Sequence, residues 1–427
     1  MVEDVSSQGA VTVGFDKKHG LPSAKFPALR QLLEGEGYAV RDVEGFTPEV
    51  DVIVIVNQTS PLTEGELSDL DSYVRSGHGL LIVRSIVSAA FNVWSSEESL
   101  CTPRVIGGCD PFEAAVNSTR FRYSRSVLVK GAYLRNLPAN VLNLLSSKRV
   151  WIDKDRNWRR TEADVEAEGL PVMVGQVYGR GRIAISSVEF FNDALLAQLD
   201  NGLFVRELIS WLSSPSVAMK RYEEVRSRLN SFLGMRGDLE RVGGNSSVLV
   251  NVAEGFKREI DDAMSRMDRG LSEEAISLLE SVDKGIASYS SFVSRLVVIE
   301  SKMRELSEFL NETRASEPNI TLDAFFSRLS DLESQKRLLY ERWATGDISG
   351  ANQSASRMLD ELENLRSEAS SYVTAERERM RQRQEEQQRM ITVGLLAVVA
   401  VIVLVVAILL YRRRKEKVEI VIRPPGS

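Results

Sequence analysis

The sequence predicts an α/β domain, then an all-α region, then one membrane-spanning helix. Three observations predict it. Between residues 10 and 83, short β-rich apolar runs alternate with helix-spaced segments. After about residue 215 the strand patterns stop, and apolar residues recur every three or four positions. Residues 391–410 read ITVGLLAVVAVIVLVVAILL, without a charge or a proline. As a helix that run is about 30 Å long, the thickness of a bilayer's hydrocarbon core.

The first domain is read over residues 8–214. AVTVGF is its opening strand, PALRQLLEGEG a helix with a glycine stop, and YAVRDV a second strand. DVIVIVN is near-continuously apolar, as a strand covered on both faces is. Thr63 followed by Glu66 spells a capping box, and that helix ends at SGHG, where His78 is a turn residue. GLLIV is the next strand. This β-α-β-β-α-β order predicts a parallel-rich sheet in flavodoxin-like layers. Residues 100–170 are less legible, with strands at SVLVKG and KRVWIDK. LPVMVGQVYGRGRIAISSVEFF reads as a hairpin turning at 178–181, and DNGLFVRELISWL as an amphipathic helix.

After an SSPS linker at 213–216, residues 217–375 read as a helical hairpin and coiled-coil region. A short helix, a glycine turn and a long helix occur twice. Gly270 corresponds to Gly346, and Ala275 to Ala351 at the same offset, an internal duplication packed as an antiparallel bundle or coiled coil. Intramolecular packing accounts for these stripes, and a residual stripe would serve self-association or a protein partner. Residues 376–390 form a charged juxtamembrane stalk, 391–411 the transmembrane helix and 412–427 a basic tail.

A net charge of −6 gives no reason to expect nucleic acid. Two histidines, His19 and His78, and two cysteines, Cys101 and Cys109, exclude the usual His/Cys zinc sites. No cofactor is expected, and a carboxylate-bound metal stays open.

The basic residues directly after the span favour a cytoplasmic C-terminus and an extracytoplasmic body. Sequons at Asn57, Asn117, Asn245, Asn311, Asn319 and Asn352 point the same way, where about two would arise by chance. In that compartment Cys101 and Cys109 would form a disulfide. Against this, MVEDVSSQGAV carries no apolar signal segment. Either the natural start lies upstream, or the protein is tail-anchored with its body in the cytoplasm.

The opening strand ending in FDKKHG resembles the D-x-x-H-G start of uncharacterised domains of the class I glutamine amidotransferase-like superfamily. VDVIVIVNQTSPLTEGELSDLDSYVRSGHGLLIV, GRGRIAISSVEFFND and DNGLFVRELISWL are similar, in order, to that family's later segments. The likeness covers about the first 210 residues and includes gliding-motility and intraflagellar-transport relatives. It implies the fold, and by analogy assembly with membrane machinery. It does not imply amidotransferase activity. Arg84 and Ser85 follow GLLIV where those enzymes carry cysteine, and no histidine occurs after His78.

In open α/β sheets ligands sit beyond the carboxyl ends of the strands. That rim holds Asp16, His19, Asn57, Gln58, Arg84, Ser85, Glu189 and Asp193. The sequence thus predicts a membrane-anchored, non-enzymatic binding or scaffold protein, with ligand candidates Asp16, His19, Asn57, Arg84, Ser85 and Glu189. One alternative is a membrane-bound hydrolase using Asp16, His19 and Ser85, although no G-x-S-x-G elbow supports it. Another is a structural coiled-coil spacer.

Overall fold

The computed structural model describes residues 10–102 and 109–419. The first residues of the 8–214 domain, most of the TPRVIGG loop and the end of the basic tail lie outside the described residues. Contacts divide the chain into two compact units. The first takes the chain up to Gly234 together with Leu249–Ala287. The second takes Met235–Val248 and the chain from Ser288 on.

Four parallel strands open the first unit. β1 (Thr12–Asp16) leads through α1 (Pro27–Gly35) to β2 (Ala39–Val43), and β3 (Val52–Val56) through α2 (Glu64–Arg75) to β4 (Gly79–Val83). Their spatial order is β2-β1-β3-β4. Every residue of β3 and β4 is buried. One apolar cluster takes Val52, Val54, Leu81 and Val83, and the other takes Ile53, Ile55, Leu80 and Ile82, as side chains alternating between two covered faces require. The capping box of α2 is closed: Thr63 N donates to Glu66 Oε2 at 2.8 Å, and Glu66 N to Thr63 Oγ1 at 3.3 Å.

The rest of the sheet is built from β5 (Trp94–Cys101), β6 (Phe112–Val116), β7 (Ser126–Arg135), β8 (Leu142–Ser147), β9 (Val150–Asp153), β10 (Val165–Ala167), β11 (Pro171–Tyr178), β12 (Gly181–Ser186) and β13 (Val188–Glu189). β12 lies parallel beside β4, and β11 folds back antiparallel to it with Tyr178 opposite Gly181. The glycines of this hairpin are required by α2. A Cβ at Gly181 would lie 2.1 Å from Val74 O, and one at Gly179 2.8 Å from Arg75 Cα. Beyond β11 runs an antiparallel wing in the order β8-β6-β7-β5-β9-β10, with β13 paired to β7. The apolar patterns identify β7, β9 and the β11/β12 hairpin. β5 escapes them because WSSEESLC is mostly polar.

After the short α3 (Asp193–Leu196), α4 runs unbroken over Asn201–Arg241. The SSPS linker is therefore corrected: residues 213–216 are helical, with Pro215 inside. Proline removes the N–H that would serve the carbonyl four residues back, Trp211 O. That carbonyl is served instead by Arg182 Nη1 at 2.8 Å and Ser214 Oγ at 3.1 Å. Ser213 and Ser216 hydroxyls also donate to carbonyls three residues back. A buried arginine on β12 thus makes the proline tolerable.

The remaining helices are α5 (Ser247–Asp268), α6 (Ser272–Ser316), α7 (Asp323–Ala344) and α8 (Ile348–Glu419). The offset that relates Gly270 to Gly346 recurs in burial. Ala263 and Leu339, Met267 and Trp343, Ala275 and Ala351, Val282 and Met358, and Ile286 and Leu362 stand at one constant offset, and all are buried. In the second unit, Lys336 and Tyr340 on α7 reach the buried Glu300 of α6 at 2.9 and 3.0 Å. Arg295 on α6 donates to Asn352 of α8 at 2.9 Å, and Arg366 on α8 to Glu305 of α6 at 2.6 Å. Rising numbers pair with rising numbers, so α6 and α8 run parallel with α7 antiparallel to α6, a three-helix bundle.

Val373 is the last buried residue of α8 among the described residues. From there the helix continues through the charged stalk into the apolar run, whose large side chains are exposed along its length. By length and composition this segment is a candidate membrane span.

Candidate functional site

Two groups of side chains form at the carboxyl rim of the parallel strands. The first is built by the turn after β1. Asp16 and His19 are buried, and His19 Nδ1 lies 2.7 Å from Asp16 Oδ2. Asp16 Oδ1 also accepts the N–H groups of Lys18 and His19, at 3.0 and 3.3 Å. The turn sits tightly on β3, because a Cβ at Gly20 would lie 2.9 Å from Val56 O. The other imidazole nitrogen, Nε2, lies 3.3 Å from Glu66 Oε1, and Lys18 Nζ reaches the same oxygen at 2.5 Å. Hydrogen bonds from Lys18 and Thr63 hold the Glu66 carboxyl down at about 2. Both ring nitrogens of His19 are therefore occupied by carboxylates. Glu66 escapes a sequence reading because it lies far along the chain and already explains itself as a cap.

The second group surrounds the turn after β4. Arg84 has φ 50° and Asn57, after β3, has φ 47°, the left-handed region that ordinary residues avoid. Arg84 Nη1 donates to Glu189 Oε1 at 2.8 Å, Asn57 Nδ2 lies 3.4 Å from the same oxygen, and Asn192 Nδ2 donates to Oε2 at 3.2 Å. Ser85 is held elsewhere. Its Oγ donates to Gln58 Oε1 at 2.8 Å and accepts from Val87 N at 3.2 Å, capping a 3-10 turn over Ile86–Phe91. Asp193 Oδ1 accepts Ala28 N at 3.3 Å, in the first turn of α1. The structure thus joins Asp16 to His19, and Asn57 and Arg84 to Glu189, while Ser85 stays with Gln58. Asp16, His19 and Ser85 form no relay. His78 stacks on Tyr73 at 4.4 Å, with its ring nitrogens on Tyr73 O and Pro48 O.

Beside Arg84 opens a groove of about 360 Å³ whose residues, apart from Arg84 and Ser85, no sequence pattern singles out. Ser88, Ser95, Ser99, Ser187 and Glu97 line it, and Trp94 on its wall is half exposed. Gly131 on β7 also lines it, and a Cβ there would lie 2.5 Å from Ser187 O. The charges at this groove are answered: Arg84 by Glu189 and Glu97 by Arg156. Ile86, which is exposed, Ala89 and Ala132 line it too, so the groove presents serine hydroxyls, main chain, small apolar side chains and the indole, with the Ser187 hydroxyl already donating to Ala132 O and Val172 O.

The loop after β9 brings Asp153, Asp155 and Asp164 together, with carboxylate oxygens within 4.8 Å of one another, so these three could hold a metal ion. Burial pushes the Asp153 carboxyl up, against the pull of the Trp158 and Asn157 N–H groups it accepts. Asp164 is likewise served by Lys154 N and Thr161 N. Nearby, Cys101 and Cys109 are joined as a disulfide, with Cα atoms 4.5 Å apart.

No family model and no curated protein matches the chain. Among solved structures, the N-terminal domain of mmIFT52 is 12% identical over 48% of this chain and 97% of that one, with a TM-score of 0.36. A ThuA-like protein from Parabacteroides merdae is 14% identical over 48% and 90%, with a TM-score of 0.34. A β-galactosidase from Rahnella sp. is 11% identical over 46% of this chain and 31% of its own length, with a TM-score of 0.31. Values this low speak to neither activity nor ligand.

Proposed function

We propose that this chain is a membrane-anchored binding protein, held by α8, whose α/β domain takes a small uncharged ligand at the Arg84 groove and performs no amidotransferase or hydrolase chemistry. The observation that carries this is the turn after β4. In the amidotransferase-like pattern a nucleophile occupies that position. Here the left-handed turn is present, but it displays a guanidinium already paired with Glu189. The one buried histidine is bracketed by Asp16 and Glu66, and the Ser85 hydroxyl donates to Gln58. With the local charges mutually neutralised, the groove selects by shape, hydroxyl hydrogen bonds and stacking on Trp94.

Glucose and myo-inositol titrated against the full chain in detergent are expected to change tryptophan fluorescence saturably, and Trp94→Ala to abolish the change. A flat titration with both removes the uncharged-ligand reading. Turnover of glutamine, or ester hydrolysis lost in both His19→Ala and Ser85→Ala, would restore an enzyme. In this reading the body is extracytoplasmic, supported by Arg412–Arg414 after the span, the disulfide and the sequons. Protease added to intact cells is expected to degrade the body and spare the basic tail. Full protection reverses the orientation.

A further inference from the structure

The six sequons are alike in sequence and unlike in structure. Transfer of a glycan requires the asparagine Nδ2 to attack the anomeric carbon of a sugar carried on a polyprenyl diphosphate. A C–N bond forms, the C–O bond to the diphosphate breaks, the lipid diphosphate leaves, and Nδ2 gives up a proton. The modified side chain must then project into solvent, because a branched polar chain cannot be buried without leaving its hydroxyls unpaired.

Four of the six asparagines are committed to the fold. Asn57 Nδ2 faces Glu189, and the hydroxyl of its Thr59 donates to His19 O at 3.3 Å. Asn117 Oδ1 accepts Thr119 N and Thr119 Oγ1 at 3.0 and 2.6 Å, but its Nδ2 is taken, donating to Asn143 O at 2.8 Å. Asn311 lies within α6 with Nδ2 on Ser307 Oγ at 3.4 Å, and its Thr313 is 3% exposed and donates to Phe309 O at 2.8 Å. Asn352 lies within α8, accepting from Arg295 and donating to Ser288 O at 3.5 Å.

The other two differ. Asn245 is exposed between α4 and α5. Its Oδ1 accepts Ser247 N at 3.0 Å and Ser247 Oγ at 2.8 Å, and its Nδ2 has no partner among the described residues. The sequon's own hydroxyl thus holds the carbonyl and leaves the nitrogen turned out. Asn319 is exposed in the turn between α6 and α7, and its side chain makes no hydrogen bond among the described residues.

We infer that Asn245 and Asn319 carry N-linked glycans and that the other four sequons do not. This rests on the extracytoplasmic reading of the body. The test is glycopeptide mass spectrometry on the full chain purified from its own host's membranes, run beside the protease treatment of intact cells. Glycan mass is expected at Asn245 and Asn319 alone. Asn245→Gln and Asn319→Gln should each remove one glycan, as should Ser247→Ala and Thr321→Ala, which keep the asparagine. A glycan at Asn57, Asn117, Asn311 or Asn352 overturns the assignment. So do unmodified Asn245 and Asn319 in a protease-sensitive body, which leave the orientation standing. Unmodified sites in a protected body overturn both.

Discussion

Gly270 and Gly346 end equivalent helices in the same way and meet different surroundings. Their φ angles are 78° and 82°. In the first turn, Leu271 N donates to Arg266 O at 3.0 Å and Gly270 N to Met267 O at 2.9 Å. In the second, Asp347 N donates to Arg342 O at 3.0 Å and Gly346 N to Trp343 O at 3.1 Å. Both are Schellman turns. A Cβ on Gly270, however, would lie 2.6 Å from Val177 Cγ1, whereas the nearest atom to one on Gly346 is Tyr289 Oη at 4.0 Å. Arg182 Nη2 donates to Gly270 O at 3.2 Å and pairs with Glu273 at 2.5 and 2.7 Å, and the residue equivalent to Glu273 in the second copy is Ser349. The local sequence therefore makes the turn, and docking is added by residues outside the repeat.

The largest test of that difference is Glu273→Ala. It leaves the charge of Arg182, which is 1% exposed, with only neutral acceptors such as Trp211 O and Gly270 O, and should cost about 3–5 kcal/mol in denaturant unfolding of the full chain. Ser349→Ala at the matching position should cost under about 0.5 kcal/mol. Next, Gly270→Ala adds a clash with Val177 to the left-handed strain and should cost about 2–4 kcal/mol, against about 1–2 for Gly346→Ala, which meets the strain alone. Equal losses in the two glycine variants would mean that docking contributes nothing. Lys336→Ile copies Ile260 of the first repeat into the second. It removes one of the two hydrogen bonds described for the buried Glu300, keeping that from Tyr340, and should cost about 1–3 kcal/mol in thermal unfolding.

The smallest effect is that of acid. Burial pushes the Glu273 carboxyl up, but its hydrogen bonds and charge contact with Arg182 outweigh this and hold it below the usual carboxylate range. A depressed folded value means that the stabilisation is complete above the ordinary value, 4.5, and fades as pH falls below it. Amide exchange at the start of α6 should therefore accelerate below about pH 4.5, and that at the start of α8 should not follow it through this pair.

Much of the architecture is legible in the sequence because it is local. The runs VIVIV and GLLIV, the Thr63–Glu66 box and the repeated glycine turns are each decided within a few residues. Pro215 reads as a linker because what tolerates it, Arg182, comes from another element. β5 goes unseen because a polar strand across a groove has no apolar alternation to display. The same division holds at the rim. Asp16 and His19 are three residues apart and are found together, while Glu66, Trp94 and Gly131 join the site only through the tertiary fold.

α8 carries the three-helix bundle and the candidate span on one continuous backbone, from Ile348 to Glu419. An unbroken helix transmits torsion as well as axial load. Each added residue rotates one end of the helix relative to the other by about 100° and separates them by about 1.5 Å. One alanine inserted within residues 381–389 would re-aim the bundle around the axis of the candidate span with almost no change in separation, while a seven-residue insertion would nearly restore its heading and lengthen the stem. Azimuth, a quantity that a flexible tether discards, is thereby written into the number of residues between Val373 and Ile391.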